Sequence, residues 1–196
     1  MNPTHQSVLN RSSKDKFILV LNLPKRVREM FKQTGNSDLS IDPLQISIFG
    51  SVVPDISVPA IQAPFSGQVY NASSHARPNY NPLTVNFIID NKFINYHSMW
   101  LWLNLLNGWD TSTYGALDFS IHPTTPRIGN ITEYQTNLSI LAYDEYNQTT
   151  AEFMYYNAFI TGLGGITYNY QDTGFIQSTV TFQYSKFNVK NTFIST

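Results

Sequence analysis

The chain has 196 residues, a net charge of −1 and 13% charged side chains, about half the share of an ordinary soluble domain. Near-neutrality gives no drive for tight nucleic-acid binding by counterion release. The absence of cysteine excludes disulfide staples, thiolate metal sites and a cysteine nucleophile.

The hydrophobic share of 42%, with 13 Phe, 12 Tyr and 3 Trp, is enough for a sizeable core in one domain. A surface so poor in charge is best explained by burial against other subunits, where charged residues are depleted. Seven of the 12 Lys and Arg lie within residues 1–50, a cluster read as a solvated face. No apolar leader and no run long enough to cross a membrane are visible, so cytoplasmic assembly without membrane insertion is expected.

Residues 1–15 read as a flexible arm, residues 16–190 as a single domain and residues 191–196 as a tail. KFILVLNL (16–23) alternates as a strand, with Phe17, Leu19, Leu21 and Leu23 on one face. Pro24 closes it, and residues 25–34 read as a short helix ending at Gly35, within an insertion spanning 24–43. Strand LQISIFG (44–50) precedes a segment marked by Pro54, Pro59 and Pro64, which belongs at an edge or in an arch. Residues 71–82 read as exposed loop. In LTVNFIID (83–90) the inward set is Leu83, Val85, Phe87 and Ile89.

The strongest helix signal follows. Asn95 is the expected cap and Asn107-Gly108 the stop, with Tyr96, Met99, Trp100, Leu103 and Leu106 at helical spacing. Leu101, Trp102 and Leu105 populate a second face. A helix apolar on two sides needs two partners: its own sheet and a neighbouring subunit. Residues 107–130 read as loop around a short strand at 116–122. Strands at 131–143, 152–160 and 165–171 are followed by a turn at Asp172-Thr173-Gly174. The last strand, 177–189, turns Val180, Phe182 and Tyr184 one way and Thr179, Thr181, Gln183 and Ser185 the other. The fold class expected is mainly β, an antiparallel β-sandwich or half-open barrel with one flanking α-helix.

Catalytic patterns are lacking. His5, His75, His97 and His122 are scattered without a second ligand at metal spacing. The glycines at 162–165 match no phosphate-binding loop and read as a turn. Asp144 and Glu145 are adjacent on an extended chain and point to opposite sides. No GxSxG elbow occurs. The expectation is a protein that is not an enzyme and takes no cofactor or metal. Tyr168, Tyr170 and Tyr184 fit either a stacking platform for sugars or, more readily, a packed sheet face.

Two segments carry a family likeness. PLTVNFIIDNKFINYHSMWLWLN (82–104) is a strand ending in Phe-x-x-Asp, a short turn, then Asn-Tyr leading a helix with tryptophan inside it. TTAEFMYYNAFITGLGGITYNYQDTGFIQSTVTFQYSKF (149–187) is a strand, a kinked connection and a hairpin. Preceded by VPDISVPAIQAP, they resemble the tail-tube fold of contractile phage tails, closer to the protein that initiates the tube in the baseplate. The insertion at 24–43 and the lack of an extra domain depart from the simple tube subunit and the larger initiators respectively.

That resemblance implies a homo-oligomeric, hexameric ring whose sheets join around a channel. It also implies neighbouring tube, baseplate and sheath proteins as partners, with DNA passing transiently through the ring. The setting is a virion tail. Asp90, Asn95, Tyr96, Trp100, Trp102 and Leu103 are then fold-defining or interface positions, and Thr179, Thr181, Gln183 and Ser185 are expected to face the lumen. Rival expectations from other classes are a non-catalytic carbohydrate-binding or host-adhesion β-sandwich and a virion jelly-roll.

Overall fold

The computed structural model describes residues 12–25, 27–28, 48–51, 53–107, 134–171 and 173–191. Alternating apolar residues build most of it, because a strand turns successive side chains to opposite faces. Strand β1 (Phe17–Leu21) buries Leu19 and Leu21, each at 1% exposure, and leaves Ile18 outward. Strand β2 (Ile48–Ser51) is followed by β3 (Ile56–Ser57), β4 (Ala60–Phe65), β5 (Gln68–Ser73) and β6 (Asn79–Tyr80). Strand β7 (Leu83–Ile88) buries Leu83, Val85 and Phe87 as its alternation predicts. Helix α1 (Ile94–Asn107) leads to β8 (Thr136–Tyr143), β9 (Thr149–Leu163), β10 (Gln177–Gln183) and β11 (Lys186–Asn191).

The main sheet is antiparallel, in the order β1-β8-β9-β10-β7-β2, with β11 also paired to β9. Strand β9 has 15 residues and serves two halves of this sheet. Its first part lies between β8 and β11, and its last part pairs with β10. Of the three irregularities in its pairing, two lie in its second half. Asn157 has a positive φ of 54°, and the register with β10 shifts by one residue opposite Thr181 and Phe182. The first irregularity moves the inward set from Phe153 and Tyr155 to Ala158 and Ile160, since one extra residue swaps the faces of a strand.

The bent sheet encloses one core with α1. Leu19, Leu138, Tyr155, Phe87, Val180, Phe182, Met99 and Trp102 belong to a single buried cluster. The fold is therefore mainly β and antiparallel with α1 packed on it, as the strand count and the strongest periodic segment led us to expect.

Several expectations need correction. Residues 165–171 form no strand; the chain from Gly164 to Ile176 is a connection between β9 and β10. Residues 177–189 are not one strand, because the path breaks at Tyr184 and Ser185 before resuming as β11. Residues 71–82 are not a plain loop, since β5 ends at Ser73 and β6 occupies Asn79–Tyr80. Helical residues are seen at Lys25, Val27 and Arg28, with Val27 buried in the core. The rest of the 25–34 helix, most of the 44–50 strand, the 116–122 strand, His5 and His122 lie outside the described residues.

Candidate assembly surfaces

Three surfaces are organised by this fold: the helix and its cap, the open face of β7 and β10, and a protruding hairpin. The helix start is fixed by Asp90, just after β7. Its Oδ1 accepts the Ile94 and Lys92 amides, both at 2.9 Å, and its Oδ2 accepts the Asn95 amide at 3.1 Å. The Ile94 and Asn95 amides are first-turn donors without an intrahelical acceptor, and a carboxylate there also opposes the positive end of the helix dipole. No acidic residue stands in the first turn itself, so Asp90 supplies that charge from outside.

Asn95 is not the cap but the second residue of the helix. Its Nδ2 donates to the Ile88 carbonyl at 2.8 Å, and its Oδ1 accepts the Asp90 amide at 3.3 Å and the Tyr96 amide at 2.8 Å. Buried to 1% exposure, it clasps β7 to α1 with its polar atoms satisfied. Asp90 and Asn95 thus hold each other's backbone, which is why the strand turns so tightly into the helix.

The helix stripe also differs from the expected one. Asn95, Ser98, Met99, Leu101, Trp102 and Asn104 are buried, whereas Tyr96, Trp100 and Leu103 are only half-buried. Counting polar residues as outward misplaced the stripe. Asn95 and Ser98 go inward because backbone groups meet their side chains, Ser98 Oγ donating to the Asn95 carbonyl at 2.8 Å. Trp102 is fully buried: its ring lies 5.7 Å from that of Phe182, and Nε1 donates to the Tyr134 carbonyl at 2.8 Å. Trp100 stays on the flank, stacked with His97 at 5.7 Å. Burial holds the His97 pKa below the ordinary imidazole value. Of the two tryptophan-bearing sides, the subunit fully covers one.

On β10 the alternation is sharp. Ser178, Val180 and Phe182 are buried, and Thr179, Thr181 and Gln183 face away from them, with Ser185 exposed beyond. Strand β7 continues this outer face, because Thr179 pairs with Asn86 and Thr181 with Thr84. Since Phe182 meets Trp102, the helix lies on the opposite side from Thr181 and Gln183. Threonine and amide side chains make this face polar and uncharged. Gly164 lets β9 close onto its end: a Cβ there would overlap the Thr179 hydroxyl and stand 3.0 Å from the Thr179 nitrogen.

The third surface was missed in the sequence. Strands β4 and β5 form a two-stranded hairpin, paired from Ala60↔Ser73 to Phe65↔Gln68. Ser66 and Gly67, with φ of 52° and 78°, make its turn. A Ser-Gly pair between alternating segments was the available signal, hidden by Pro59 and Pro64. Phe65, Val69 and Tyr70 are 78%, 63% and 67% exposed.

Among the described residues no group of three or more His, Asp or Glu is arranged to hold a metal ion. Nor, among the described residues, is any helix long and apolar enough to cross a membrane. The three tyrosines of the expected platform separate: Tyr184 is buried beside Tyr155, with rings 4.9 Å apart, while Tyr168 and Tyr170 stand exposed on the β9–β10 connection. An uncharged sheet face, a half-covered helix and a bare hairpin are features of a subunit shaped for contact. The sequence profile described as phage tail tube protein matches residues 12–190.

The chain belongs to the phage tail tube protein family. That family consists of structural tube proteins, and the match spans every described strand except Asn191, the last residue of β11.

Solved structures agree in fold. A chain of the anti-feeding prophage cap, the tube-terminating cap, superposes with a TM-score of 0.61 at 13% identity, covering 97% of this chain and 99% of its own. The extended sheath–tube complex of an extracellular contractile injection system contains a chain with TM-score 0.60 and 12% identity, at 97% and 99% coverage. The anti-feeding prophage baseplate holds another, with TM-score 0.60, 10% identity and 93% and 97% coverage. No curated protein matches the chain. As a tail tube protein it presents α1 and the open β7–β10 face on opposite sides of one sheet.

Proposed function

We propose that this tail tube protein closes into a hexameric ring, in the tube of a contractile phage tail or in the tube-initiating layer of its baseplate, and that DNA passes through the ring. The observation that carries the reading is the uncharged outer face of β7 and β10, on the side away from the helix. A lumen lined by Thr84, Asn86, Thr179, Thr181 and Gln183 offers a passing polyanion no cationic site to release counterions against, so it does not hold DNA back.

The strand directions fit closure. The half-sheet β9-β10-β7-β2 is antiparallel throughout and has four strands. Strand β2 of one copy therefore meets the Thr161–Leu163 end of β9 in the next copy in the antiparallel sense. Around a ring this removes the two outer edges that otherwise template uncontrolled pairing. The flank bearing Trp100 and Leu103 then faces outward, toward a neighbouring copy or a sheath. Asp90, Asn95, Tyr96 and Trp102 act by fixing the helix on the sheet. The protein's place is the virion tail, after assembly in the host cytoplasm.

Electron microscopy of the purified chain tests this, with native mass spectrometry to count subunits. Rings of six copies are the expected result; monomers at every concentration overturn it. Thr181→Arg in each copy adds a ring of cations to the lumen. Rings that then bind single- or double-stranded DNA, and release it as salt rises, place Thr181 in the channel. Rings of the variant that still ignore DNA put that face elsewhere.

A further inference from the structure

The half-sheet β9-β10-β7-β2 has an internal symmetry. Its middle pairing, β7 with β10, runs without a break from Gln177↔Ile88 to Phe182↔Leu83. Val85 pairs with Val180 at the centre of a near-repeat, LTVNF (83–87) against STVTF (178–182). A twofold axis through that pair, perpendicular to the sheet, exchanges the two strands. Thr84 then takes the place of Thr179, Asn86 that of Thr181 and Phe87 that of Phe182.

The outer strands obey the same axis. On β2, Ile48 pairs with Phe87 and Gly50 with Asn86, which leaves Phe49 as an extra residue. On β9, Ile160 pairs with Phe182 and Gly162 with Thr181, which leaves Thr161 extra. Each outer strand thus carries one bulge built as Ile-x-Gly, IFG at 48–50 and ITG at 160–162. In both, the isoleucine packs on the core opposite a fully buried phenylalanine, and the glycine lies opposite a polar residue of the outer face. Gly50 is needed there, because a Cβ would stand 3.2 Å from Asn86 Nδ2. At the other bulge the Thr161 hydroxyl donates to the Thr181 carbonyl at 3.2 Å, a side-chain bond where the ladder is interrupted.

An extra residue bends its strand and increases the local twist, and sheets are curved and closed by such bulges. Bends related by an axis perpendicular to the sheet turn its two edges toward the same face. We infer that the paired bulges at Phe49 and Thr161 set the angle between successive copies, and with it the number of copies in the ring. This rests on the ring reading above, in which β2 and the Thr161–Leu163 end of β9 are the edges that meet. It adds what fixes their angle. Six copies share a full turn at about 60° each and seven at about 51°, so losing roughly 10° per copy adds a subunit. The extra residue acts by its length of backbone, not by its side chain.

Deleting Phe49 tests this. Ile48 then precedes Gly50 directly, so the pairs with Phe87 and Asn86 are kept and only the bulge goes. Strand β2 is paired to β7 alone, so no other pairing of the sheet is touched. The deletion is expected to give rings of seven or more copies, wider by at least about one-sixth, because barrel diameter grows with strand number. Phe49→Ser, which keeps the extra residue, is expected to keep six. Native mass spectrometry counts the copies, electron microscopy measures the diameter, and circular dichroism checks that each variant is folded. Rings of six from the deletion variant overturn the inference and leave the ring reading standing. A changed count in Phe49→Ser overturns it too, since the phenyl ring would then be the cause. Free subunits from the deletion, beside wild-type rings, mean that the bulge makes the joint and not its angle. An unfolded deletion variant means that the bulge supports the subunit itself. Either result overturns the inference. Wild-type chains that form no ring remove the ring reading and this inference with it.

Discussion

Asp90 ties a charge, a strand end and a helix start together, and it shows how little chain is needed to fix the angle of α1. Its carboxylate accepts three amides, two of them from the first helical turn. Asp90→Ala is expected to cost about 1–2 kcal/mol of stability, the range measured for lost helix caps. Chemical denaturation with unchanged m-value checks it. Tyr155 behaves differently. Its hydroxyl and that of Tyr184 are buried without a hydrogen-bond partner, and burial first, with the Tyr184 phenol second, raises the Tyr155 pKa above the ordinary phenol value. The folded chain keeps this proton where the unfolded chain gives it up. The associated stability is thus present below about pH 10, the ordinary phenol value, and is lost as pH rises above it. Tyr155→Phe is expected to be neutral or to gain about 1 kcal/mol near pH 7, since it removes an unsatisfied buried group. It is also expected to reduce the loss at alkaline pH. A pH series of urea unfolding for both proteins decides, and a steeper alkaline decline in the variant would contradict the account.

The elements differ in what holds them. Strands β7, β8 and β10 and helix α1 are held by the core, whereas the hairpin has β3 and β6 as its stalk and no packed face. Replacing residues 59–74 by a Gly-Gly link is therefore expected to leave the melting temperature of the isolated subunit within about 3 °C, because little buried area is removed. Calorimetry on the purified subunit checks this. A melting temperature lowered by 10 °C or more, on the scale of about 3–5 kcal/mol for a domain of this size, would mean that the hairpin supports its own subunit.

For the whole molecule, the scarcity of charge predicts how assembly responds to salt. Contacts made by neutral aromatic and amide groups are not screened by ions. Raising salt about tenfold is expected to move the concentration at half-assembly by less than about twofold. Light scattering across a salt series measures this. A steep loss of assembly with salt would point instead to contacts by the Lys and Arg of residues 1–50.

By itself the sequence determined the alternating strands and the buried faces of β1, β7 and β10, because a period of two must put every second side chain into the core. It also determined the presence of one helix and the neutral side chains of Thr179, Thr181 and Gln183. Only the tertiary structure decided that Asn95 and Ser98 point inward, that Tyr184 leaves its neighbours Tyr168 and Tyr170, and that residues 60–73 stand out as a hairpin. Each of these turns on what another segment offers. The Ile88 carbonyl satisfies Asn95, Tyr155 and Phe187 receive the Tyr184 ring, and for the hairpin face nothing within the described subunit does so. Local periodicity records a residue's own preference and not the partner that long-range folding brings to it.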